Sequence, residues 1–291
     1  MDINYELYKV FYYVASTLSF SEAAGRLYIS QSAVSQSVKT LEKKLGQTLF
    51  IRSTKKVQLT PEGEILLRHI EPAVNLIGRG EAQLMDTSAG GGQLRIGASD
   101  TICRYFLVPY LEKFHKAFPG AHIKVTNATS IRCVELLKTG QVDLIVVNYP
   151  NAYLGNISSV KRIQSFQDVF IANEAFSELK GKKLTYKQLL NYPILMLDKQ
   201  STTSEFLHSL FQQHQLDLVP EAELSSNDLL IDLAKIGLGL AFIPDYCLNR
   251  DADNLFVVEM KEKLPSRELA VAYNGHHPVS GAMEEFLSYF E

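Results

Sequence analysis

Cysteine is scarce in this chain, and the little there is comes without partners. Cys103, Cys133 and Cys247 are the only three in 291 residues, too far apart in sequence for a metal knuckle or a redox couple. Each is expected to be a reduced, small, buried hydrophobe. Cys103 has a second reading, because a helix is expected to begin beside it and a helix start lowers a thiol pKa towards that of a sensor. Long apolar runs are missing too. None approaches the roughly 20 residues that span a bilayer. The first residues lack the basic-then-apolar pattern of a secretion signal, so the expected place is cytoplasmic. The seven histidines show no metal-ligand spacing, and His276-His277 reads as a turn ahead of Pro278. Also absent are the Gly-x-Ser-x-Gly elbow, His-Glu-x-x-His, the phosphate loop and the dinucleotide glycine fingerprint. These absences weigh against an enzyme and against any metal or cofactor.

A strong overall charge is lacking only on average. The net charge is −3, yet residues 1–60 hold eight Lys and Arg against four Asp and Glu, and the remainder 21 against 28. A basic front end on an acidic body is what a DNA reader joined to a regulatory domain would show.

What is present is concentrated between Ser19 and Gly46. Ser19 and Glu22 have capping-box spacing, which predicts a helix from there to about Leu27. Tyr28 and Ile29 make a short connection, and Ser30 is placed to cap a second helix. Along that helix Val34, Val38, Leu41 and Leu45 form one buried stripe. Ser32, Ser35, Gln36, Lys39 and Lys43 face the other way. Short hydrogen-bonders first and cations later suit a helix whose early turns meet base edges and whose charges meet phosphates. An ordinary amphipathic helix would show the same two faces; the paired caps and tight turn favour DNA. The candidate base readers are Gln31, Ser32, Ser35 and Gln36, and Ser21 joins the candidate DNA set. Before this pair, Leu7, Val10, Phe11, Val14 and Leu18 define the apolar face of a first helix. After it, Thr48 to Leu59 predicts a two-stranded wing. Lys39, Arg52, Lys55 and Lys56 could then meet phosphates, or Arg52 the minor groove, with a solvated basic hairpin as the alternative.

Thr60 is placed to cap a long helix with Pro61 at its first position. Leu66, Ile70, Ala73, Ile77 and Leu84 give it a coiled-coil seam of about three heptads; packing onto its own domain is the milder reading. Gly78 and Gly80 weaken it, and Ser88 to Gly92 should end it in a hinge. The expected division is a DNA-binding domain over 1–59, a linker helix over 60–87, a hinge over 88–92 and a body over 93–291.

The front end resembles the LysR-type transcriptional regulators. The resemblance is carried by Ser19-Phe20, Ala23-Ala24, Ser30 to Ser35, Leu41-Glu42, Leu45-Gly46, Leu49-Phe50-Ile51-Arg52 and Leu59-Thr60-Pro61-Glu62-Gly63. It is dense as far as Gly63 and looser beyond. It implies a bacterial protein with a winged helix-turn-helix, whose linker helix pairs with its twin to set two recognition helices on a dyad operator. The implied assembly is a dimer, then a dimer of dimers or homotetramer, with RNA polymerase as a further partner and no membrane.

From Gln93 onward, strand-like and helix-like segments alternate, which predicts α/β architecture with largely parallel sheets. Leu94–Ala98, His122–Asn127, Leu144–Val147, Val169–Ala172, Ile194–Leu197 and Leu240–Ile243 read as strands. Helices are expected at Arg104–Phe118, Ile131–Thr139, Glu205–His214, Asp228–Ile236 and Val279–Phe290. The resemblance implies two Rossmann-like subdomains of periplasmic-binding-protein type, with chain crossings near Arg162 to Gln164 and near Leu264 to Arg267. Subdomain I is then 93–162 with 268–291, and subdomain II is 163–267.

Ligands of open α/β sheets sit beyond the carboxyl ends of the strands, facing helix N-termini. Ser99, Asp100, Thr101, Thr129, Ser130 and Asn148 follow the first three strands. Ser201 and Thr202, with Thr202 and Glu205 in capping-box spacing, precede a fourth helix, and Ser226 and Asn227 a fifth. Any one of these Ser or Thr residues could simply be a cap. As a set they suit a small anion or metabolite, and the resemblance implies an inducer near Ser99, Thr101, Thr129 and Thr202. Asp100 stands apart. It would repel an anion unless turned away or paired with Arg104 or Arg132, and it leaves a cationic or zwitterionic effector open. The leading function is therefore a regulator that binds double-stranded DNA under the control of a small-molecule effector. A solute-binding component and an enzyme are the other classes.

Overall fold

The computed structural model describes residues 3–52, 56–86, 92–249 and 254–290. Two compact units emerge, one reaching Met85 and including Thr139–Gln141, the other made of the rest. In the first, α1 (Tyr5–Thr17), α2 (Phe20–Leu27) and α3 (Gln31–Leu45) precede the hairpin β1 (Phe50–Arg52) and β2 (Val57–Leu59), then α4 (Pro61–Asp86). Both expected caps form: Ser19 accepts from the Glu22 N–H and Ser30 from the Ala33 N–H, each at 3.2 Å. The box at Ser19 does not close, because the Glu22 carboxylate goes instead to Arg26, one turn on. Val34, Val38 and Leu41 are fully buried and pack with Phe11, Val14, Ala23 and Phe50. Leu18 leaves the expected apolar face: it caps α1 at φ 49° and is exposed.

The wing is fastened by one carboxylate. Glu42 accepts from the Leu49 N–H at 2.8 Å, the Phe50 N–H at 3.3 Å and the Arg52 guanidinium at 3.3 Å. Bonds to a charged acceptor are worth about 1.5–3 kcal/mol each and are not additive. Glu42→Ala should therefore lower the unfolding free energy of the front end by about 2 kcal/mol, as read by urea denaturation. A loss within 0.5 kcal/mol, typical of a surface change, would contradict this role for Glu42.

Helix α4 starts with Pro61 where expected and runs unbroken through Pro72, Gly78 and Gly80. Its seam divides. Leu66 and Ile70 pack against the core of their own unit, while Ile77 and Leu84 are exposed at 46% and 76%. Of the expected hinge over 88–92, residues 88–91 lie outside the described residues, as does Lys55.

The second unit continues with β3 (Gln93–Ala98), α5 (Asp100–Ile102), a π-helical turn at Cys103–Leu107, α6 (Val108–Ala117), β4 (His122–Asn127), α7 (Ser130–Lys138) and β5 (Leu144–Tyr149). The 15-residue β6 (Ser159–Asn173) leads to β7 (Lys183–Leu184), α8 (Tyr186–Leu189), β8 (Ile194–Leu197), α9 (Thr202–Gln213), β9 (Ala222–Leu224) and α10 (Asn227–Lys235). Then come β10 (Leu240–Pro244), β11 (Leu255–Met260), β12 (Ser266–Tyr273) and α11 (Gly281–Ser288). The main sheet order is β4-β3-β5-β12-β6-β10-β8-β9. Parallel pairing holds at both ends, but β6 runs antiparallel to β10, β11 and β12, and β12 antiparallel to β5. The sheet is mixed rather than largely parallel, because the chain enters the second half along β6 and returns along β12. Pairing of β6 passes from β12 to β10 between Gln167 and Asp168.

Candidate nucleic-acid interface and ligand cleft

On α3 the N-terminal turns carry Gln31, Ser32 and Gln36, with Lys39 one turn further, and all four are exposed. The buried stripe opposite fixes the rotation of the helix, so this row has no choice but to face solvent. Ser21 on α2 and Lys56 before β2 are exposed as well. Two residues differ from a simple contact role. Arg52 donates to Ser35 Oγ at 3.2 Å, pairs with Glu42 and lies 4.6 Å over the Phe20 ring. Its guanidinium braces the wing against α3, and half-buried Ser35 is its acceptor. Sequence spacing could not show this, because the two residues are brought together only by the wing folding back.

In the second unit all ten expected cleft residues line one cavity of about 290 Å³. Helices bring most of them there. Ser99, Ser201 and Ser226 cap α5, α9 and α10 by accepting from the Ile102, Ser204 and Leu229 N–H groups. Thr129 accepts from the Arg132 N–H at the head of α7. These four hydroxyls accept capping bonds and keep their own O–H groups to donate. The expected capping pair at Thr202 and Glu205 is displaced by one residue, since Ser201 is the cap. Glu205 instead accepts from the Tyr153 hydroxyl at 2.8 Å. Thr202 is thereby left as a buried first-turn residue on the cavity wall.

Side chains from the two halves of the sheet meet across the cleft. Asn227 Nδ2 donates to Thr101 Oγ1 at 2.9 Å, and the Tyr105 hydroxyl to Asp228 Oδ1 at 2.6 Å. Asn148 Nδ2 lies 3.5 Å from both Thr202 Oγ1 and Thr203 Oγ1. Behind the wall sits Arg267, 1% exposed, donating to Asp168 at 2.9 Å and to Thr203 at 3.1 Å, with Thr202 at 3.4 Å. Desolvation raises the Asp168 carboxyl above its ordinary value, and the guanidinium opposes that rise. This buried pair escaped sequence reading. Its signal was a charge just ahead of each of two apolar runs, Asp168 before Val169 to Ile171 and Arg267 two residues before Leu269 to Ala272.

Asp100 is exposed at the mouth and takes neither expected arginine. Arg104 approaches Asp228 at 3.7 Å and Arg132 pairs with Glu135. Cys103 does not sit at a helix start; helical backbone already begins at Asp100. Burial first, and Asp100 second, push its thiol up to about 11, so the sensor reading is withdrawn. Cys133 is pushed up to about 12 by its burial. Among the described residues no group of three or more His, Cys, Asp or Glu could hold a metal ion. No described helix is long and apolar enough to cross a membrane.

Comparison with known proteins bears on both regions. Residues 5–64 match the model of the bacterial regulatory helix-turn-helix protein, lysR family, and residues 88–291 that of the LysR substrate binding domain. The HTH-type transcriptional activator CmpR of Synechocystis is 26% identical over 97% of this chain and 93% of its own. The HTH-type transcriptional regulator AlsR of Bacillus subtilis is 27% identical over 91% of this chain and 89% of its own. Full-length CbnR in complex with its target DNA has a similar fold, with a TM-score of 0.69 at 17% identity, covering 99% of both chains. The regulatory domain of Synechocystis CcmR in complex with 2-PG has a TM-score of 0.62 at 23% identity, covering 68% of this chain and 95% of that one.

Proposed function

The chain belongs to the LysR family of bacterial transcriptional regulators, and from that premise we propose that α3 enters the major groove while a small-molecule effector occupies the cleft. Its family is one of DNA-binding regulators with an effector-binding domain, not of enzymes. Gln31, Ser32 and Gln36 read base edges, with Ser21 beside them. Lys39, Lys55 and Lys56 meet phosphates, and Arg52 holds the wing in place for them. The observation that carries this reading is the exposed row Gln31, Ser32, Gln36 and Lys39 on a helix whose opposite face buries Val34, Val38 and Leu41.

The exposed apolar half of α4, at Ile77 and Leu84, suits pairing with a second copy, and a dimer of dimers follows the family pattern. Domain limits at 59, 87 and 92 fit this division of labour; the expected subdomain limit at 162 moves to Gln167, where β6 leaves β12 for β10, while the limit at 267 stays beside the start of β12. CcmR in its complex holds 2-PG; in this chain the cleft from Ser99 to Asn227 would hold the effector. The effector acts by preferring one arrangement of the two halves over the other. Such a regulator works in the cytoplasm.

Gln36→Ala should cost about 1–3 kcal/mol on the cognate duplex and little on a scrambled one, collapsing the preference. Lys39→Ala should weaken both duplexes alike. A competition assay at fixed salt, using the DNA upstream of the protein's own coding sequence, separates the two. Equal losses on both duplexes from Gln36→Ala would refute its assignment as a base reader.

A further inference from the structure

The charge of the cavity wall says what kind of molecule it takes. Three helices of nine residues or more, α7, α9 and α10, begin at the wall, and each helix start carries roughly half a positive charge. That is enough to seat one carboxylate. No Lys or Arg lines the cavity among the described residues, whereas Asp100 and Asp198 both do. A dianion would therefore meet too little positive charge on the helix starts and two carboxylates opposed to it.

Among the residues that line the cavity, the two buried side-chain atoms without a partner are both acceptors. Asn227 is 5% exposed, and its Nδ2 is spent on Thr101 while its Oδ1 is buried with no donor. The Asn148 Oδ1 on the wall is buried without a donor in the same way. Leaving a buried acceptor unpaired is costly, so the wall is completed by a ligand that brings N–H or O–H groups. Of the two wall carboxylates, Asp198 accepts from the Gln200 N–H, while Asp100 forms no ion pair among the described residues and stands with the two carboxamide oxygens. An ammonium has three donors and no acceptor.

We propose that the effector is a small zwitterion, an α-amino acid, with its carboxylate at the starts of α9 and α10 and its ammonium held by Asp100, Asn148 and Asn227. This rests on the cleft being the effector site. The test is thermal denaturation of the full chain with each proteinogenic amino acid, with matched α-hydroxy acids (L-lactate for L-alanine, L-malate for L-aspartate), and with 2-PG. At least one amino acid should raise Tm saturably and bind about tenfold more tightly than its hydroxy-acid counterpart, the worth of one charge-assisted hydrogen bond. Asp100→Asn should weaken that amino acid about tenfold and leave the hydroxy acid no weaker. The proposal is overturned if no amino acid binds, if a hydroxy acid or 2-PG binds more tightly, or if Asp100→Asn makes no difference. Thr202→Val separates this failure from that of the cleft itself. A purely anionic compound whose binding Thr202→Val abolishes would keep the cleft and discard the zwitterion. Binding that ignores both Thr202→Val and Asn227→Ala would place the site elsewhere and discard both.

Discussion

Arg267→Ala should cost about 3–5 kcal/mol of stability, the loss expected when one partner of a buried ion pair is removed. Asp168 is 0% exposed and its Oδ1 has no partner even with the arginine present. Removing the guanidinium strips the other oxygen, and with it the bonds to Thr203 and Thr202 and the contact 4.8 Å above the Phe206 ring. The carboxyl, already raised by burial, would rise further. A carboxyl raised in the folded state is protonated there before it is in the unfolded chain. Stability is therefore fully present below the unfolded value near 3.8 and is lost as pH climbs towards the folded one. The deficit of the variant relative to wild type should accordingly shrink in acid. Arg267→Met with Asp168→Leu should recover most of the loss, because a packed apolar pair avoids burying charge. Urea denaturation of wild type, Arg267→Ala and the double variant at two pH values measures this. A single variant as stable as the double would show that the pair is not coupled.

The second large effect is expected at Gly63. A Cβ there would lie 2.2 Å from the Leu49 carbonyl oxygen and 2.9 Å from the Leu59 side chain. That oxygen is itself fixed, since it accepts from the Thr60 N–H at 3.0 Å. Neither the root of the wing nor the first turn of α4 can yield without breaking this bond. Gly63→Ala should cost about 3 kcal/mol or more, at the upper end for overpacking, and should abolish DNA binding at the growth temperature. Gly78→Ala is the control. Nothing lies within 4 Å of its Cβ position, so it should stabilise by about 0.5–1 kcal/mol through helix propensity. Circular dichroism melts of both variants decide it, and a Gly63→Ala protein melting with wild type would contradict the close approach.

These two sites mark where sequence reading reached and where it stopped. Ser19, Ser30 and the Val34-Val38-Leu41 stripe were legible because caps and helical periodicity act within a few residues. Hydroxyls at helix starts were legible for the same reason, and folding gathered all ten expected cleft residues around one cavity. What escaped depends on chain segments far apart. The Arg267–Asp168 pair spans 99 residues, and the bond from Arg52 to Ser35 spans 17. Strand β12 was missed because its run Leu269-Ala270-Val271-Ala272, buried on both faces, shows no alternation to read. Gly63 was visible as part of a motif, but the Leu49 carbonyl that forbids a side chain there was not.

The most direct test is a salt titration of the full chain on duplex DNA from upstream of its own coding sequence, followed by fluorescence anisotropy. If the basic front end docks on phosphates while α3 reads bases, log K should fall linearly with log salt, and Lys39→Ala should make the slope shallower by about one. Affinity unchanged across the series, or a slope that Lys39→Ala leaves untouched, would contradict it.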